Sequence, residues 1–150
     1  MKKFSIIISL MLAVLVQATF TSCSSTPSVP ASFQEESRQP VIYPDYKDII
    51  IPNNIAPMNF AVNEGAEAVV ARFSSAAGEF TYGEDNKVVI DESEWKKMLE
   101  SSKGKDICVE VFAQISGQWK KFKSFNIHVA EEPIDEYVSY RLIQPSYVAY

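Results

Sequence analysis

The chain holds few of the residues that catalysis draws on. Its 150 residues include one histidine, His128, and two cysteines, Cys23 and Cys108. A zinc site of ordinary make-up needs several Cys and His ligands, and that supply is missing. A Ser-His-Asp device would have to use His128, and no nucleophile-elbow pattern accompanies it. Glycine is scarce: Gly65, Gly78, Gly83, Gly104 and Gly117 stand singly at turns, so there is neither a phosphate loop nor a dinucleotide fingerprint. No apolar run reaches the roughly 18 residues of a membrane-spanning helix. Positive charge is also short, with 14 basic against 19 acidic residues and a formal charge of −5, so nucleic acid is a poor partner. These absences lead us to expect a protein that is not an enzyme and carries no cofactor and no metal.

What is present begins at the N-terminus. Lys2 and Lys3 precede an 11-residue apolar run from Ile6 to Val16, within the roughly 7–15 residues of a signal-peptide core. The small residues Thr21 and Ser22 come just before Cys23, and the polar stretch Ser24 to Ser28 follows it. This layout resembles a bacterial lipoprotein signal peptide. Phe20 stands where Leu is usual, as in the relaxed motifs of the Bacteroidetes. The resemblance implies cleavage after residue 22 and acylation of Cys23. One acyl chain binds a bilayer marginally and two hold stably; the resemblance implies three. No acidic cluster follows Cys23, so the expected address is the cell envelope, lipid-anchored in the outer membrane and facing the periplasm. Removal of residues 1–22 takes away Lys2 and Lys3 and no acidic residue, leaving 12 basic against 19 acidic residues and a formal charge of −7. With Cys23 acylated, Cys108 has no intramolecular partner and is expected to be a buried small hydrophobe.

Residues 24–42 are rich in Ser, Pro and polar side chains, so residues 23–42 read as a lipidated cysteine and flexible tether. The remaining 108 residues, 43–150, suit one domain. Ile49 to Ile51 suits an edge strand between Pro44 and Pro52. Met58 to Val62 and Ala68 to Phe73 read as strands, and Glu79 to Tyr82 pairs with Lys87 to Ile90 around Gly83 to Asn86. One helix is signalled by Asp91 as a cap, Glu94 at capping-box spacing and Trp95, Met98 and Leu99 on one face, with Gly104 as its stop. The acidic residues Asp91, Glu92 and Glu94 follow from capping and the helix dipole alone.

The clearest hairpin alternates from Ile107 to Ile115, turns at Ser116-Gly117 and returns from Trp119 to Val129. An offset at Lys120 to Phe122 predicts a bulge. His128 has the opposite parity to Ile127 and Val129 and should face the other side of the sheet. A last strand is expected over Tyr137 to Ile143. Six to eight short strands with one short helix predict a mainly β fold, an antiparallel immunoglobulin-like β-sandwich, with an α+β layer that packs the helix against one sheet as the alternative. The aromatics Trp119, Tyr137, Tyr140, Tyr147 and Tyr150 form the candidate interaction surface. They suit a protein partner or a stacked sugar, against the alternative that they fill the core.

Two stretches are distinctive. One runs from Tyr43-Pro44-Asp45-Tyr46 through Ile51-Pro52-Asn53-Asn54-Ile55-Ala56-Pro57-Met58-Asn59-Phe60. The other runs from Ile134-Asp135-Glu136-Tyr137 to Tyr147. Together they resemble the N-terminal region of large Bacteroidetes envelope lipoproteins labelled cytochrome c biosynthesis or TolB-like β-propeller proteins. In that family a Cys-x-x-Cys-His motif and propeller blades follow this region. The chain has neither, so no haem site is carried over. The ending at Tyr147-Val148-Ala149-Tyr150 lacks a polar tail, which suggests a module cut before its next domain. Three functions are therefore expected in turn: a lipid-anchored structural or protein-interaction module, partnered by the membrane and by a protein or a missing C-terminal propeller; a glycan- or peptide-binding module; or an accessory fragment of a haem or redox envelope protein.

Overall fold

The computed structural model describes residues 27–137. The signal peptide, Cys23, Tyr140, Tyr147, Tyr150 and all but the first residue of the expected last strand lie outside the described residues.

The fold is mainly β with one helix among the described residues. Its centre is the hairpin expected from the alternation. Strand β8 (Lys105–Ile115) turns at Ser116 and Gly117, both at positive φ, and returns as β9 (Gln118–Lys121) and β10 (Phe125–Val129). Between the pairs Phe112–Lys121 and Val109–Phe125, β8 advances three residues and the returning strand four. That extra residue is a bulge, and it lies just past the expected Lys120–Phe122. Side chains alternate with period two, so the bulge reverses the parity. Trp119 and Lys121 share the outer face with Phe112, whereas Phe125, Ile127 and Val129 turn into the core.

The other edge of β8 carries β5 (Ala68–Ser75), and β5 carries β6 (Gly78–Tyr82), both antiparallel. Beyond β9 and β10 lie β1 (Gln34–Glu35), parallel to β9, and β3 (Ile49–Ile51), parallel to β10. The large sheet is therefore mixed, not antiparallel throughout as expected. Alternation reports which face a residue takes and is silent on strand direction. A second, three-stranded antiparallel sheet is made by β2 (Ile42–Tyr43), β4 (Phe60–Val62) and β7 (Lys87–Val88). The chain passes from one sheet to the other at every step from β1 to β5.

Helix α1 (Glu92–Ser101) begins as expected: the Asp91 carboxylate accepts from the backbone N–H groups of Ser93 at 2.9 Å and Glu94 at 3.0 Å. The reciprocal half of the capping box is replaced, because Glu94 accepts the Tyr82 hydroxyl at 2.6 Å. The helix ends at Ser102, before Gly104, whose positive φ leads into β8. Trp95, Met98 and Leu99 are buried in one cluster with Phe73, Val109 and Ile127 of the large sheet and Phe60, Val62 and Val88 of the small one. The Trp95 indole donates to the Ile55 carbonyl at 3.0 Å, which satisfies its one polar atom.

Two expectations are corrected. The pair expected between Glu79–Tyr82 and Lys87–Ile90 does not form: β6 stays with β5 and β7 joins β4, leaving only a Glu84–Lys87 bridge. The inward side chains of these strands belong to opposite layers, Tyr82 opposite Ala71 and Val88 opposite Phe60. The tether expected over 23–42 is also revised, since its second half is part of the fold. Gln34 and Glu35 pair with Lys120 and Lys121, the Glu36 N–H donates to the Lys121 carbonyl at 2.8 Å, and Ile42 is buried.

Candidate functional site

Among the described residues no group of three or more His, Cys, Asp or Glu is placed to hold a metal ion. His128 faces outward as its parity predicts, with Nδ1 2.7 Å from an Asp106 carboxylate oxygen. The register sets Ile50 on the other side of His128. Cys108 is half-buried and outward-facing, between Ser74 and Asn126, not buried in the core as expected. Its even position on β8 places it opposite in parity to the core residues Ile107 and Val109. No helix among the described residues is long and apolar enough to cross a membrane.

The outer face of the large sheet is occupied by its own side chains. Glu110 on β8 bonds Arg72 on β5 through both Nε and Nη2, and Lys121 on β9 at 2.7 Å. Burial pushes the Glu110 carboxyl up, and the bonds from Lys121 and Arg72 more than offset this, so it ends below the usual glutamate range. One row along, Phe112 is covered by Phe33, ring centroids 5.2 Å apart and edge-on at 65°. The Lys121 ammonium sits 5.7 Å from the Phe33 ring centre. The Glu64 carboxylate holds the same N-terminal segment lower down, accepting from Arg38 at 2.7 and 2.6 Å and from the Val41 N–H at 2.8 Å. The Arg38 bonds hold Glu64 below its ordinary range against the opposing effect of burial.

The sequence-predicted aromatics do not converge within the described residues. Trp119 is half-buried beside the Ser116–Gly117 turn, paired with Gln114. Tyr137 is 84% exposed and follows Ile134, whose N–H and carbonyl are both clasped by the Asn54 amide, at 2.7 and 3.0 Å, past the opposite end of β10 and β3. The two stand at opposite ends of the large sheet.

The open apolar face lies elsewhere. On the outer side of the small sheet Tyr43, Ala61 and Lys87 stand in one cross-strand row. Tyr43 is 71% exposed and Val89 53% exposed, and Val41 is exposed beside them. Ala61 lies between the larger side chains and leaves a mainly apolar groove of about 210 Å³ bordered by Tyr43, Asn59, Ala61, Lys87 and Val89. This face was missed in the sequence. The signal was present in Val41-Ile42-Tyr43, where Ile42 turns inward and its neighbours outward, but three residues inside a polar segment are too few to show a period. Comparison of the chain with family models, with known proteins and with solved structures finds no match.

Proposed function

We propose that the protein is a non-enzymatic, lipid-anchored module of the bacterial cell envelope that docks a protein partner through the outer face of its small sheet. The observation that carries this reading is the row Tyr43-Ala61-Lys87 with Val41 and Val89 beside it. Large apolar side chains held outward on a short sheet, around a groove with a small residue at its floor, are the anatomy of a protein contact. The partner is another envelope protein or a propeller domain of the same larger lipoprotein, in keeping with the resemblance of residues 43–150.

An immunoglobulin-like sandwich is the finer fold this reading takes. It is supported by the strand orders, in which β2, β4 and β7 can be read as A, B and E, and β5, β6, β8 and β9–β10 as C, C′, F and G. Helix α1 then occupies the E–F connection. Anchoring rests on the lipoprotein-like segment ending at Cys23. The anchored, docked state is tested by palmitate labelling and affinity capture from bacterial membranes. Wild type should carry label and retain a discrete partner, Cys23→Ala should lose the label, and Ala61→Glu should keep the label and lose the partner. Equal capture by wild type and Ala61→Glu would contradict the docking face.

A further inference from the structure

The docked N-terminal segment builds one wall of a recess that the expected tether would not have made. Ser32, Phe33 and Gln34 face Gly117, Gln118 and Trp119 across a depression of about 410 Å³ at the turn end of the large sheet. The parallel pair of Gln34 with Lys120 fixes the two walls against each other. Phe33 is 39% exposed and is held by its edge-on contact with Phe112, so its remaining surface is presented in one orientation. Trp119 is half-buried on the other wall.

We infer that this recess binds a neutral saccharide. The lining determines the ligand class. None of its six residues is ionisable, and the nearest cations are already paired, Lys120 with Glu36 and Lys121 with Glu110, both at 2.7 Å. Among the described residues an anion would find no free cation in this lining, and a cation no carboxylate. The Gln34 and Gln118 amides make no hydrogen bond with other described residues. Each offers two donors and an acceptor, which matches hydroxyl groups that both give and take. An apolar peptide side chain would bury those amides without partners, which opposes its binding. A sugar presents hydroxyls at its rim and C–H groups on its face, which suit the amides and the aromatic rings respectively. The recess is open at its sides, so it takes one or two units of a longer glycan laid across it. This inference is independent of the small-sheet docking face and does not require it.

The test is a titration of the full-length protein in detergent with neutral β-glucan, α-mannan, xylan and chitin oligosaccharides. Tryptophan emission is the readout, since Trp95 is fully buried and Trp119 is not. At least one oligosaccharide should give a saturable shift at millimolar concentration or below. Trp119→Ala should abolish the shift, and by calorimetry it should weaken binding at least tenfold. Gln34→Ala, on the exposed edge, should weaken it several-fold with an unchanged melting temperature. Tyr137→Ala should leave it unchanged. No saturable shift with any of the four, binding that survives Gln34→Ala and Trp119→Ala at full strength, or equal binding of an anionic polysaccharide would overturn the assignment.

Discussion

Phe33 stands edge-on to Phe112, ring centroids 5.2 Å apart and planes at 65°, and this contact ties the N-terminal segment to the middle of the large sheet. Phe112 points away from the main core, yet it is 1% exposed because Phe33 and Lys121 cover it. Phe33→Ala removes a ring that is itself partly in solvent, so its loss should cost less than a fully buried phenylalanine. We expect a destabilisation of about 1–2 kcal/mol, combining partial apolar burial with the aromatic pair. Urea unfolding checks this. Limited proteolysis should also cut before Ser32 in wild type and extend to Arg38 in the variant.

Stability should fall in acid through Glu64 and Glu110. Both carboxyls are held below their unfolded values, Glu64 chiefly by Arg38, and Glu110 by Lys121 and Arg72 acting against burial. Their contribution is therefore fully present above the unfolded glutamate value of about pH 4.3. It is lost as pH falls through their lower folded values. Glu110→Gln should lower stability at neutral pH by about 1–2 kcal/mol, as expected for loss of a charged partner in a half-buried cluster. It should also flatten the acid limb of a melting-temperature profile below about pH 4.3. A variant with an acid limb as steep as wild type would rule Glu110 out as a source of it.

Ser102 carries the opposite expectation. Its residue is fully buried and its hydroxyl finds no hydrogen-bond partner among the described residues. Its backbone already closes α1, with N–H to Leu99 at 3.2 Å and carbonyl to Lys105 at 2.9 Å. Ser102→Ala keeps those bonds and removes a stranded polar atom, so it should leave stability unchanged or raise it by up to about 1 kcal/mol. Thermal denaturation decides, and a clear loss of stability would mean that the hydroxyl is bonded in solution.

Gly104 should resist a side chain, chiefly through its backbone. Its φ is 68°, and an added Cβ would meet the Glu131 carboxylate at 2.9 Å. Gly104→Ala is expected to destabilise by about 1 kcal/mol or more from the left-handed backbone alone. Gly104→Ala with Glu131→Ala should recover only the steric part, measured as a double-mutant cycle.

The sequence carried the mainly β class, the helix and the central hairpin because these rest on patterns that repeat over many residues. The run from Ile107 to Ile115 shows period two plainly, and Trp95, Met98 and Leu99 mark one helical face. The bulge was legible for the same reason, since an extra residue between Lys121 and Phe125 disturbs the alternation locally. Partner choice was not legible. Tyr82 and Val88 are both inward-facing strand residues separated by a turn, and nothing local says that they belong to different sheets. Phe33 and Gln34 could not be placed either, since a two-residue strand has no period. The lone aromatic in a Ser- and Pro-rich stretch was the available sign that the segment docks. Trp119 and Tyr137 lie at opposite ends of the large sheet, a separation that no local pattern announces, and Tyr140, Tyr147 and Tyr150 lie outside the described residues.

The central claim is that the small-sheet face meets a protein partner in the envelope. It is tested most directly by placing a photoreactive amino acid at position 43 in the intact bacterium, with position 50 as the control. Ile50 is as exposed as Tyr43 but sits on the outer face of the large sheet. The account predicts a discrete crosslinked adduct from position 43 and none of that size from position 50. The same adduct from both positions, or none from position 43, would contradict it.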